Sequence, residues 1–199
     1  MNPYLLSETQ AEAAGDLFAA AFFPSAVATF LFPDPTRRAR LLPAFFRAMT
    51  RLAARHGEAV ALGPPPQAVA LWLLPDRESP TEVEFAEAGM EAFAALMDEG
   101  EAARLDALTR HMDAAHERVM DRPHWYLPFL AVTPDRQGQG SGTLLMRHTL
   151  DRASAAGAPC YLDSADERNL PFYERLGFRT VEAGTVPGSQ LRTWALRRG

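Results

Sequence analysis

With 199 residues, 47% of them hydrophobic and 23% charged, the chain has the length and composition of one soluble, globular domain with a sizeable core. All 20 basic residues are Arg, which excludes a phosphate-loop Lys, a Schiff-base Lys and a Lys general base. A net charge of −5 argues against nucleic acid as a partner, and the lone Cys160 fits a reducing cytoplasm.

From the N-terminus, Met1 to Gln10 lacks the basic start and apolar run of a leader, and no stretch of the chain approaches the roughly 18 apolar residues of a membrane span. Tyr4–Leu6 reads as a short strand, with Ser7 or Thr9 capping a helix through Ala21. Phe22 to Phe32 is aromatic and broken by Pro24 and Pro33. Leu41, Phe45, Ala48, Met49 and Leu52 recur at helical spacing over Thr36–His56, and Gly57 stops that helix. Two apolar runs, Ala59–Leu62 and Ala68–Leu74, flank Gly63-Pro64-Pro65-Pro66 and predict a hairpin. Pro80 to Arg122 is Ala- and Glu-rich and reads as mostly helical. His124–Val132 and Pro159–Leu162 read as strands, Leu170–Leu176 as a short helix ended by Gly177, and Phe178–Val186 and Leu191–Leu196 as closing strands. No repeat or linker divides the chain, so residues 1–199 form one α+β domain.

The chemistry concentrates where the strand ending at Val132 meets the predicted helix Thr143–Ala156. Between them stands Gln137-Gly138-Gln139-Gly140-Ser141-Gly142. Glycines let successive backbone N–H groups converge, and the helix start beyond adds its partial positive charge; together they make a phosphate cradle. A Walker loop needs a Lys that this chain lacks. A dinucleotide fingerprint is met by Gly138 and Gly140, with Asp163 as the ribose acid. It fails at Thr143, where its third glycine belongs, and the tail beyond Asp163 is too short for a doubly wound sheet. The following helix carries Gly142, Leu145, Met146, Thr149, Leu150, Ala153 and Ala156 as one apolar stripe, with Arg147, Asp151 and Arg152 toward water.

The spacing Gln-x-x-Gly-x-Gly after Val-x-Pro resembles the acyl-CoA loop of the GNAT N-acetyltransferase superfamily. Asn169-Leu170-Pro171-Phe172-Tyr173-Glu174-Arg175-Leu176-Gly177-Phe178 is similar to that family's second motif, in matching order. This tail and Arg192-Thr193-Trp194 look closest to puromycin N-acetyltransferase-like members. The N-terminal half has no comparable match, so that substrate is not carried over. The resemblance implies a three-layer α/β/α fold, a mixed, mostly antiparallel sheet flanked by helices and splayed at the CoA strand. Residues 1–122 would form the acceptor side with a helical insertion, and 123–199 the acetyl-CoA side. It also implies acetyl-CoA as co-substrate, a small-molecule amine as acceptor and a homodimer.

By the same resemblance, the backbone of Leu130, Ala131 and Val132 would hold the pantetheine and acetyl carbonyl. Gln137, Gly138, Gln139, Gly140, Ser141, Gly142 and Thr143 would cradle the pyrophosphate. Tyr173 matches the family's general acid: a phenol near pKa 10 can protonate a departing thiolate of about 8.5. It also reads as a core Tyr packed beside Phe172. Asn169, one turn earlier, reads as a ligand to the pantetheine or as a helix N-cap. Asp166 stands where relatives often carry another Asn. Some members place a Glu base at the position of Tyr126. Here His124, two residues earlier on the same strand face, is a candidate base, though a histidine so placed is more often an ordinary pocket wall. Asp163 is a second candidate and equally a cap for the following loop, and water with backbone carbonyls offers a third route for the proton.

Phe22, Phe23, Phe30, Phe32, Phe45, Phe46, Trp72 and Met90 read mostly as core, with Phe22 to Phe32 the stretch best placed to wall an acceptor pocket. Glu87 and Glu91 read as one solvated helix face. His111 and His116 have no metal-ligand spacing, and no metal is expected. The expected function is acetyl-CoA-dependent N-acetylation of an amine by direct attack in a ternary complex. A catalytically silent acyl-CoA sensor is the alternative, motivated by the missing Glu at Tyr126.

Overall fold

The computed structural model describes residues 2–75 and 80–199. Seven strands form one sheet in the order β1 (Tyr4–Leu5), β2 (Gly57–Leu62), β3 (Ala68–Leu73), β4 (Trp125–Val132), β5 (Cys160–Ser164), β7 (Arg192–Arg198), β6 (Arg179–Thr185). Among the described residues only β4 and β5 pair in parallel. Two adjacent parallel strands need a crossover, and α7 (Ser141–Ala155) supplies it. α8 (Leu170–Arg175) packs on the same face. The opposite face is covered by α1 (Ala11–Phe22), α2 (Ala26–Leu31), α3 (Pro35–His56), α5 (Met90–Ala94) and α6 (Glu99–Val119), with α4 (Glu82–Ala88) packed outside on α3 and α5. This is the three-layer mixed-sheet architecture expected.

Alternation along each strand divides the core in two. Ala68, Ala70 and Trp72 of β3 join Leu145, Met146 and Leu150 of α7 on one side of the sheet. Val69 and Leu71 join Phe18, Leu41, Leu42 and Phe46 of α1 and α3 on the other. Gly57 does more than stop α3: a Cβ there would lie 2.0 Å from the Trp72 carbonyl oxygen, so only glycine lets the chain turn from α3 straight into β2.

One local reading is filled in and two are corrected. The Pro-broken stretch Phe22–Phe32 contains α2, because Ser25 lies between the prolines and its hydroxyl accepts from the Ala28 N–H at 3.1 Å. Glu87 and Glu91 do not share a helix face, since left-handed Gly89 separates α4 from α5, and Glu87 instead pairs with Arg55. The α7 stripe ends at Ala153; Ala156 lies beyond the helix and is exposed.

The turn from α1 through α2 into α3 is tied by one buried cation. Arg38 donates to the carbonyls of Phe32, Phe23 and Pro33 at 2.8, 3.1 and 2.9 Å. Arg38→Met should therefore cost about 2–3 kcal/mol, since hydrogen bonds from charged donors are worth roughly 1.5–3 kcal/mol each and some carbonyls will recover water. Urea unfolding measures this, and an unchanged midpoint would contradict it.

Candidate acyl-transfer site

β4 carries the site, and a bulge sets its geometry. Opposite β3, Leu71 pairs with Phe129 but Leu73 pairs with Tyr126, so β4 holds one extra residue at Leu127–Pro128. Pro128 has no N–H to give the ladder, which suits it to a bulge. The bulge breaks simple alternation. Trp125 and Leu127 face α7 with Leu130 and Val132, whereas Tyr126, Phe129 and Ala131 face the other way.

The parallel pairing with β5 stops at Leu127 opposite Leu162, and past this point β4 is paired only on its β3 side. The Thr133 N–H bonds the Gln67 carbonyl directly across the ladder. Alternation in an antiparallel pair then turns the backbone groups of Ala131 and Phe129 toward β3 and those of Leu130 and Val132 toward the open edge. Of the three expected strand residues, Leu130 and Val132 thus present free backbone groups. The Val132 carbonyl is taken by the Gln137 side chain at 3.1 Å, which fastens strand to loop.

The loop has the conformation that its glycines allow. Gly138 and Gly140 sit at φ +73° and +86°, a region L side chains rarely adopt. Gly140 is the N-cap of α7 and accepts from the Leu144 N–H, leaving the N–H groups of Ser141, Gly142 and Thr143 without intrahelical acceptors. The Gln139 side chain folds back onto the Asp135 carbonyl at 2.7 Å. At Gly142 a Cβ would meet Phe172 and Val132 at 3.5 and 3.6 Å, so the start of α7, α8 and the end of β4 converge there. The loop is solvent-exposed, lies at the head of a 15-residue helix and adjoins the open edge of β4. This arrangement fits a pyrophosphate at the loop and an extended amide-bearing arm along the strand.

Tyr173 reaches the same side of the sheet, packed with Leu127, Leu145, Leu162 and Phe178. Burial alone pushes its phenol above the ordinary value, which keeps the proton on oxygen across neutral pH. Asn169 is exposed and its side chain caps nothing; Asp166 takes the capping role by accepting from the Arg168 N–H.

His124 sits in a different environment. Its Nδ1 lies 2.8 Å from the Arg122 carbonyl, which can only accept, so Nδ1 carries the proton. Its Nε2 lies 2.6 Å from Nε2 of His116, one hydrogen bond joining the two rings. Both ring nitrogens are thereby engaged. His116 stacks on Tyr161 at 4.2 Å with the rings 4° from parallel. Beside it, the Asp163 carboxylate accepts from Tyr161 at 2.7 Å and from Tyr126 at 3.3 Å. No local pattern pairs Asp163 with Tyr126, because the bulge decides which way Tyr126 points.

Two groups in this cluster titrate with opposite signs. Burial, helped by His124, holds His116 down to about 4, so stability present above its ordinary value near 6.5 is lost as pH falls toward 4. Burial pushes Asp163 up to about 6, so its contribution is present below the ordinary 3.8 and lost as pH rises through 6. Between those limits they oppose. In urea unfolding, His116→Phe should gain stability relative to wild type on acidification from about pH 6.5 to 4, and Asp163→Asn should lose it. Parallel profiles for all three proteins would refute this.

Of the aromatic residues considered for the acceptor wall, Phe32, Phe46 and Trp72 are fully buried, and Trp72 lies on the α7 face. Phe22, Phe45 and Phe129 are half-buried, and Phe129 meets the other two edge-on at 6.0 and 5.7 Å. A hollow of about 370 Å³ between α1 and α3, lined by Ala19, Phe23, Arg38 and Leu42, touches none of the residues of the loop or the open strand.

Against known proteins, residues 69–178 match the family model described as Acetyltransferase (GNAT) family. An uncharacterised N-acetyltransferase of Schizosaccharomyces pombe is 35% identical over 66 residues, 33% of this chain and 26% of that protein. The match thus spans about a quarter of that relative's length. The fold is shared with a Corynebacterium glutamicum protein described as histone acetyltransferase HPA2 and related acetyltransferase (TM-score 0.64, 20% identity, 99% of this chain and 94% of that one). It is shared too with a Drosophila melanogaster polyamine N-acetyltransferase (0.64, 14%, 98% and 97%). A third such structure is an Aedes aegypti protein described as insect putative arylalkylamine N-acetyltransferase 7 (0.63, 15%, 98% and 85%).

Proposed function

Because this chain belongs to the GNAT acetyltransferase family, we propose that it transfers an acetyl group from acetyl-CoA to the primary amine of a small molecule, by direct attack in a ternary complex. The observation that carries this reading is the continuity of loop and strand: Leu130 to Thr143 offers an open strand edge and a helix-headed nest of N–H groups in one segment. The acceptor chemistry of the polyamine and arylalkylamine enzymes that share the fold supports an amine. The half-buried rings of Phe22, Phe45 and Phe129 support an acceptor with an apolar body.

Acetyl-CoA supplies an acyl group activated as a thioester. The N–H groups of Gly138 to Thr143 bind its pyrophosphate, and Leu130 and Val132 orient its arm by backbone hydrogen bonds. The outward N–H of Val132 is the donor placed to steady negative charge on the acyl oxygen. Tyr173, approaching from the α7 side, gives the leaving sulfur its proton.

The test is thiol release from acetyl-CoA with a panel of aromatic amines, diamines and amino acids, read against buffer. The reading expects release with one acceptor class. No release with any of them, while acetyl-CoA still binds, would overturn it in favour of an acyl-CoA sensor.

A further inference from the structure

Resting on the acetyltransferase reading, we propose that Asp163, rather than His124, receives the proton that the acceptor amine gives up, and that Tyr126 and Tyr161 position its carboxylate for that task.

Asp163 is the first residue of β5 beyond the last β4–β5 pair, Leu127 opposite Leu162, so it stands where the two strands part. Its neighbours Leu162 and Cys160 pack under α7, and alternation turns Asp163 to the opposite side, over Ala115 and His111 of α6. On that side of the sheet lie Phe129 and Ala165, both packed on the cluster that includes Phe22 and Phe45. Tyr173 lies on the other side. The two proton-handling groups therefore flank the open strand edge from opposite faces, one where an amine would enter and one where a thiol would leave.

Two tyrosine donors fix the carboxylate, one on each oxygen, and each oxygen keeps a lone pair to accept from a substrate. The charged and titratable groups around it are Tyr126 of β4, Tyr161 of its own strand, His111, Asp113 and His116 of α6, and Glu182 of β6, which is held by Arg118; β7 contributes uncharged Thr193 and Ala195. No cation bonds Asp163 among the described residues, and burial sets its pKa at about 6, a value suited to a base near neutral pH. His124, by contrast, has both ring nitrogens engaged within the protein, by the Arg122 carbonyl and by His116.

The balance is as follows. Starting from the ammonium form, one proton passes to an Asp163 oxygen and on to solvent, leaving a nitrogen lone pair. That pair forms the bond to the acyl carbon as the carbon–sulfur bond breaks. The nitrogen sheds its second proton along the same route, and sulfur gains one from Tyr173, which is refilled from water. Amide, thiol and one net proton result.

The experiment measures kcat and KM from about pH 5 to 9 with phenethylamine, or with the best amine of the thiol-release panel, at saturating acetyl-CoA. Wild type should lose kcat below about pH 6. Asp163→Asn should lower kcat at neutral pH by at least ~30-fold, keep its acetyl-CoA Kd, and lack that acid limb. Tyr161→Phe removes a donor that stabilises the carboxylate, so its acid limb should move up by about one pH unit. An Asp163→Asn enzyme with kcat within about threefold of wild type and the limb retained overturns the assignment. If that variant does not fold, an unmoved limb in Tyr161→Phe overturns it instead. A wild type inactive with every amine refutes the acetyltransferase reading itself, and this assignment with it.

Discussion

Gly140→Val is expected to weaken acetyl-CoA binding by at least ~100-fold, or about 2.7 kcal/mol, with the fold intact. Gly140 sits at φ +86°, where a non-glycine residue costs roughly 1–2 kcal/mol and a β-branched one more. The space around it is open: a Cβ meets nothing within 4 Å. The penalty is thus conformational, and an exposed loop escapes it by rotating its peptides. That rotation turns the N–H groups of the cradle away from the phosphate. Gly188 is the matched control, at φ +73° with equally open surroundings, in the turn between β6 and β7. Gly188→Val should cost similar stability and leave acetyl-CoA affinity unchanged. Calorimetric titration of both variants checks this, and equal weakening in the two would point to a global effect.

Tyr173→Phe should lower kcat by about 10²–10³-fold while acetyl-CoA Kd stays within about twofold. The substitution deletes one oxygen from a ring whose packing with Leu127, Leu162 and Phe178 is otherwise kept. The buried phenol is raised by burial alone, with no hydrogen bond contributing, so its loss leaves no partner unsatisfied. Single-turnover and steady-state thiol release measure the effect. A kcat within about threefold of wild type would leave Tyr173 as a packing residue and move the thiolate's proton to water.

What the sequence revealed was what local chemistry decides. Gln137 to Gly142 carries its own conformation, since few residues other than glycine tolerate the φ values that Gly138 and Gly140 adopt. The apolar stripe of α7 follows from helical period alone, through Leu145, Met146, Thr149, Leu150 and Ala153. Ser25, between Pro24 and Pro33, is a legible cap for α2. Other features depend on partners distant in sequence. The bulge at Leu127–Pro128 shows itself only against β3, and without it Tyr126 cannot be assigned a face. Pro128 inside an otherwise apolar strand was the one available signal. The engagement of His124 by His116, and of Asp163 by Tyr126 and Tyr161, arises where α6 crosses the sheet, which no local pattern encodes.

Acetyl-CoA held by one continuous segment, Leu130 to Thr143, is what calorimetric titration of acetyl-CoA into the wild-type protein checks first. Saturable binding at a single site per chain is expected, abolished or strongly weakened by Gly140→Val. Absence of binding to the folded wild type, or binding indifferent to Gly140→Val, would contradict it.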